Sequence, residues 1–215
     1  MAEKTPKQSL GKLYTVAAPS GVGKTSLVKA LVDSSENLRV SVSYTTRPRR
    51  ANEIDNVNYH FVAQTTFKQM IAAGDFIEYA LVFHYYYGTS KRWVQAQLMA
   101  GNNVILEIDW QGVRQIKELF PDCIRVFILP PSLQALQQRL GARAQDSEAI
   151  IQERMAAGKT EISHYHEADF LVVNDQFAHA LSELRDIVTH GRITATSSDD
   201  LAGRRQLAEN LLQEN

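Results

Sequence analysis

Cysteine, long apolar runs and net charge are what this chain has least of. A single cysteine, Cys123, in 215 residues excludes an intrachain disulfide and any multi-cysteine metal site, in keeping with a reducing compartment. It lies just before an apolar strand pattern and reads as an inert structural thiol. The longest apolar runs, such as VFIL (126–129) and FLVV (170–173), are strand length, far below the roughly 18 residues of a membrane span. The opening MAEKTPKQSL has no apolar core of a secretory signal, so a cytoplasmic protein with no membrane partner is expected. The formal net charge of −1 argues against a nucleic-acid partner. Repeats, low-complexity tracts and N-glycosylation sequons are also lacking.

What remains is ordinary globular material. Hydrophobic residues at 44% and charged residues at 22% exclude disorder and fibrous classes, and the length suits one domain, 1–215. The charge is unevenly spread, however. Residues 1–50 carry nine Lys+Arg against three Asp+Glu, a balance of +6 that leaves −7 for the rest. The positive end is expected to face an anion.

The runs 13–18, 103–108, 124–129 and 169–173 are almost continuously apolar, as strands covered on both faces must be, and helical patterns alternate with them. An α/β fold with a parallel sheet covered by helices follows. Further strands are expected at 39–44, 59–62 and 76–83. Helices are expected at about 64–73, 90–100, 112–119, 132–140, 147–163, 176–188 and 200–213. The stretch 39–62 alternates or is polar, holds turn residues and has no room for a crossover helix, so it reads as an inserted, partly exposed sheet. GARAQDS (141–147) has no apolar periodicity and reads as a mobile loop.

Between the first strand and first helix stands APSGVGKT (18–25). It matches G-x-x-x-x-G-K-[ST] except that Ala18 replaces the first glycine. Gly21 and Gly23 let backbone N–H groups turn onto a phosphate chain, Lys24 can reach the outer phosphates, and Thr25 offers a hydroxyl to Mg²⁺ at a helix N-terminus. ILEIDWQG (105–112) puts Glu107 and Asp109 two apart at the end of a buried strand. Period-two geometry aims both at the sheet edge where ligands bind in open α/β folds, and one of them can serve the magnesium shell, directly or through water. SVSYTTRPRR (41–50) gathers Arg47, Arg49 and Arg50, either a solvated turn or an anion site.

SGVGKT, TTRPRR, YHFV, FIEYALVF followed by YYGTS, LEIDWQG, FILPPS, RLGAR and VVND occur in one order along Lys12–His190. In that set the chain resembles guanylate kinases, the bacterial branch above all, which also carries Ala before PSG. The resemblance implies a P-loop NTPase-type core (12–38, 94–140 and 157–190), an inserted monophosphate-binding region (39–93), a lid (141–156) and a C-terminal helix (191–215). It implies transfer of the γ-phosphoryl group of ATP to GMP, with Mg²⁺ as cofactor and deoxy-GMP as a further acceptor.

Residue by residue, the resemblance places ATP on Ser20, Gly21, Val22, Gly23, Lys24, Thr25, Ser26 and Asn174. It reads guanine with Ser43, Glu78 and Thr89, and holds the monophosphate with Arg47, Arg50, Tyr59 and Tyr87, with Asp109 close by. Thr25 would meet Mg²⁺, and Asp109 would do so through water. Catalytic charge would come from Lys24, Arg47 and the lid arginines Arg139, Arg143 and Arg154. His84 and Tyr85 stand where many members have Gly and Asn, and Ala144 where Gly is usual.

Of the cluster YYY (85–87), Tyr85 is taken as the ring that packs in the core. His164 and His166, diverging on a helix, read as a solvated face rather than a metal pair. Leu201, Leu207 and Leu211 suggest a terminal helix that packs on its own core or on another subunit, so a homo-oligomer is left open. Two rival functions remain at this stage. One is another nucleoside monophosphate kinase, against which Glu78 with Ser43 argues. The other is a noncatalytic guanylate-kinase-like binding module, against which the intact Gly23, Lys24 and Thr25 argue.

Overall fold

The structure, a computed structural model, describes residues 10–141, 148–193 and 198–214. Nine strands and eight α-helices lie among the described residues. They are β1 (Leu13–Ala17), α1 (Lys24–Asp33), β2 (Leu38–Val40), β3 (Tyr44–Thr45), β4 (His60–Phe61), α2 (Gln64–Ala73), β5 (Phe76–Val82), β6 (Tyr85–Ser90) and α3 (Lys91–Met99), then β7 (Asn103–Glu107), α4 (Trp110–Leu119), β8 (Ile124–Leu129), α5 (Leu133–Gly141), α6 (Glu148–Ile162), β9 (Phe170–Val173), α7 (Phe177–His190) and α8 (Ser198–Gln213). A parallel five-stranded sheet has the order β2-β7-β1-β8-β9, and a four-stranded sheet the order β4-β3-β6-β5. The four apolar runs supply four of the five parallel strands. The chain is thus an α/β protein, and all five residues of β1 are buried, as strands covered on both faces require.

The fifth strand corrects the expectation for 39–44. Leu38–Val40 pairs in parallel with Asn103–Ile105, and Tyr44–Thr45 joins the second sheet instead. Leu38 is fully buried, and Ser41 N–H still donates to Ile105 O at 3.0 Å before the chain leaves the sheet. One alternating run is divided between two sheets, a division that periodicity within the run cannot reveal.

By compactness the chain forms two units. The first comprises 10–14, 36–106 and 111–123, the second 15–35, 107–110, 124–141, 148–193 and 198–214. In the first unit β5 and β6 form a hairpin whose Val82↔Tyr85 pairing leaves a two-residue turn. Phe83 and His84 there have φ of 46° and 69°, as a primed turn demands, a conformation that glycine would adopt without strain. β6 lies outside the strands expected from the sequence pattern.

β5 is an edge strand, and α4 seals it. The Gln115 amide donates to Tyr79 O at 2.8 Å and accepts from Tyr79 N–H at 3.2 Å, standing in for a further strand. On β6, alternation sends Tyr86 to one face, stacked on Phe67 at 5.4 Å, and Tyr87 and Thr89 to the other. Tyr86, not Tyr85, is therefore the core-packing ring. Gly88 follows from the same face, since a Cβ there would come within 2.9 Å of both Phe67 and Phe76.

In the second unit α1 buries Leu27, Val28 and Leu31, and α7 buries Ala180, Leu184 and Ile187. Buried Glu183 on α7 accepts from Arg204 of α8 at 2.5 and 2.9 Å, and Arg204 also donates to Leu171 O at 2.6 Å. With Ala208 and Leu211 buried, α8 packs within its own unit through 204, 208 and 211, while Leu201 is exposed. α6 stops at Ile162, and a single 3-10 turn, Tyr165–Glu167, follows. His164 there is no solvated residue. Its ring lies 4.0 Å from that of Trp110 at 10°, and its Nδ1 is 2.7 Å from Glu167 Oε1.

Candidate active site

Each unit carries one cluster of the anticipated residues. In the second unit the turn from β1 to α1 is the glycine loop. Gly21 and Gly23 have φ of 92° and 99°, where side chains are strained, and a Cβ on Gly23 would meet the Asn174 amide nitrogen at 2.8 Å. The loop is held by side chains distant in sequence. Asn174, at the end of β9 and buried, donates to Val22 O at 2.7 Å, and Arg139 of α5 donates to Val22 O at 3.2 Å and Asn174 O at 2.9 Å.

At the head of α1, Lys24 Nζ donates to Ile108 O at 3.3 Å and the Thr25 hydroxyl donates to Glu107 Oε2 at 2.9 Å. Thus Glu107, which the strand-end spacing singled out beside Asp109, is the carboxylate that meets the loop threonine. Asp109 is half-buried just before α4, Ser26 is exposed, and Arg154 is half-buried on α6. Arg143 and Ala144 lie outside the described residues.

Glu161, which the sequence reading did not single out, completes this cluster. Its Oε2 accepts from Ser20 N–H at 3.0 Å. Burial raises its pKa from 4.5 to about 7, against the pull of Ser20 N–H and Lys24 and with a push from Asp109. A folded-state pKa above the unfolded one means the native state binds the proton more tightly, so stability falls as pH rises through about 4.5 to 7 and the cost is complete above 7. Glu161→Gln is therefore expected to be as stable as the parent near pH 4.5 and more stable by up to about 3 kcal/mol at pH 8. Urea denaturation across that window measures it; a pH-independent difference would refute the buried-charge origin.

In the first unit the 44–60 loop and β6 gather Arg47, Tyr59 and Tyr87. Arg47 Nη2 bonds Glu53 Oε1 at 2.6 Å, with both side chains largely buried. The guanidinium lies 5.5 Å over the Tyr59 ring and within hydrogen-bond reach of Tyr87, and Tyr59 and Tyr87 meet edge to face at 5.9 Å. Burial opposes the charge on Arg47, but the bond to Glu53 and the neighbouring Tyr87 outweigh it and raise the pKa. Burial likewise opposes ionisation of Glu53, yet Arg47 and the Arg50 N–H hold it below the usual carboxylate range. Glu53 also accepts from Arg50 N–H at 2.8 Å, so it organises the basic turn while the Arg50 side chain stays exposed. It was missed because a loop glutamate six residues from its partner has no periodic signature.

Beside this cluster, Glu78 on β5 faces Thr89 on β6, and the hydroxyl donates to Glu78 Oε1 at 2.5 Å. Glu78 is 3% exposed and Thr89 fully buried. A buried carboxylate is rare without a partner, and here its partner Thr89 shares a face of β6 with Tyr87. Ser43 immediately precedes β3, its carbonyl accepting from His60 N–H at 2.9 Å.

A glycine loop between the first strand and helix of a parallel sheet, with a carboxylate from the neighbouring strand on its threonine, defines a P-loop nucleotide-binding protein of the α/β class. The guanylate kinase family model matches residues 10–191. A guanylate kinase of Saccharophagus degradans is 52% identical over 202 residues, covering 94% of this chain and 98% of that one. One of Pseudomonas fluorescens is 55% identical over 179 residues, 83% and 87% of the two chains. The crystal structure of guanylate kinase from Anaplasma phagocytophilum superimposes with a TM-score of 0.71 at 26% identity, covering 96% of this chain and 98% of that one. The chain belongs to the guanylate kinase family. No helix among the described residues is long and apolar enough to cross a membrane.

Proposed function

We propose that the protein catalyses ATP + GMP ⇌ ADP + GDP. The observation that carries this reading is the buried Glu78–Thr89 pair beside the Arg47–Tyr59–Tyr87 cluster, a carboxylate for a base edge next to groups suited to a phosphate. Guanine offers N1–H and the 2-amino group as adjacent donors beside an O6 acceptor. Glu78 accepts both donors, while the hydroxyls of Ser43 and Thr89 complete the base pocket. Adenine presents a different edge and would leave the carboxylate unpaired.

Guanidinium forks and phenol hydroxyls hold the monophosphate through Arg47, Arg50, Tyr59 and Tyr87. Its second pKa near 6 leaves the attacking oxygen largely ionised at pH 7, so the chain supplies no general base. Its task is to assemble two polyanions. The N–H groups of Gly21 and of residues 23–26 cradle the donor phosphates, while the Ser20 N–H is held by Glu161, and Asn174 and Arg139 keep that loop in shape. Lys24, Arg154 and Arg143 add positive charge as the phosphoryl group moves in line.

The Thr25 hydroxyl and the Glu107 carboxylate that accepts from it are hard oxygens that fit Mg²⁺, and they would hold the ion together with Asp109, two residues further along the chain, directly or through water. When bound, the ion neutralises phosphate charge. We read 39–93 as the acceptor region and 141–156 as the lid, and deoxy-GMP as a further acceptor. The single cysteine and the bacterial relatives support a cytoplasmic setting.

ADP release with GMP, AMP, CMP and UMP offered separately tests the reaction: turnover is expected with GMP, and equal or faster turnover with AMP would overturn the guanine reading. Arg47→Ala should weaken GMP by roughly ten- to a hundredfold, the worth of one charge-assisted contact, and leave guanosine nearly unchanged. Equal loss for both ligands in calorimetry would mean that Arg47 only supports the loop through Glu53.

A further inference from the structure

α6 meets the phosphate loop along one face. At Gly158 the two are in packing range, since an added Cβ would lie at ordinary contact distance, 3.7 Å from Pro19 Cβ and 3.4 Å from Leu136 Cδ2. Three residues on, Glu161 takes the Ser20 N–H. Arg154 precedes Glu161 by seven residues, which at about 100° per residue returns to within about 20° of the same face. The helix bearing the lid arginine is therefore fastened to the loop through a carboxylate. Lys24 faces that carboxylate from α1 and Asp109 from the turn after β7. A negative group beside a cradle for phosphates works against anion binding by charge alone, and apolar packing would join helix and loop at less cost. Its use lies in direction, because an acceptor on Ser20 N–H sets how that peptide is turned.

We propose that Glu161 is a positioning residue of the donor site, orienting the Ser20 amide and locking α6, with Arg154, to the phosphate loop. It acts through Ser20 and Arg154 and does not touch the reacting atoms. The inference rests on the reading of this loop as the ATP site.

Steady-state kinetics of Glu161→Met, Glu161→Ala and Glu161→Gln test it, with circular dichroism to verify folding. Removing the acceptor in the Met and Ala variants should raise KM for ATP about tenfold or more, while KM for GMP stays within about twofold. Gln keeps a carbonyl acceptor and should return KM for ATP to within about threefold of the parent. An unchanged ATP KM in the Met or Ala variant, a parallel rise for GMP, or a Gln variant no better than Met would overturn the proposal. So would loss of folding in both Met and Ala variants while Gln folds, since the residue would then be structural. A parent protein that fails to phosphorylate GMP would instead overturn the functional reading itself.

Discussion

Glu78→Gln is expected to cut kcat/KM for GMP by roughly thirty- to a thousandfold while leaving ATP binding untouched. The substitution barely changes size or shape. A carboxylate accepts from N1–H and the 2-amino group together, whereas an amide has one acceptor and must turn its NH₂ toward a guanine donor or toward Thr89. The Thr89 hydroxyl already donates to Glu78 Oε1 at 2.5 Å, so the amide also has one acceptor to share between Thr89 and the base. At a site 3% exposed, water cannot make up the difference. Unpaired buried groups of this kind cost about 2–4 kcal/mol, which sets the range. Discrimination against AMP should shrink as well, because an amide presents both a donor and an acceptor to adenine. The ratio of kcat/KM for GMP and AMP in both proteins decides it: an unchanged ratio removes Glu78 from the base site.

Lys24→Met should fold normally and turn over at least about a hundredfold more slowly, the usual loss when one preorganised charge is removed from a transferring group. Methionine keeps the length of the stem, and the side chains of α1 that build the core are Leu27, Val28 and Leu31. The contact given up is that of Nζ with Ile108 O at 3.3 Å, a part-buried bond of modest worth. Unfolding by urea should thus shift little while GDP formation collapses. Near-normal turnover by a folded variant would refute the assignment of the donor site to this loop.

Much of the donor half was legible because its signal is local. The strand, the glycine turn and the helix of APSGVGKT are contiguous, so composition and 3.6-residue periodicity fall on one stretch. The acceptor half came from the ordered set of motifs rather than from periodicity, since its strands are short and alternating. The misassigned ring shows how a readable signal can be passed over. Residues 85, 87 and 89 share a face of β6, so once Thr89 and Tyr87 face the site, Tyr86 is the one left for the core.

The sequence by itself determined the α/β class, four of the five parallel strands, the phosphate loop and the residues to suspect around it, since each of these depends on neighbours in the chain. Tertiary structure alone decided the pairings between distant residues. Only the fold sends Leu38–Val40 to the main sheet, puts Glu53 on Arg47, chooses Glu107 for Thr25, turns Arg139 and Asn174 onto Val22 O and brings Glu161 to Ser20, 141 residues away along the chain. Burial is the reason. A carboxylate or guanidinium looks the same in sequence whether solvated or enclosed, and its partner and its proton affinity are set by the side chains that exclude water from it.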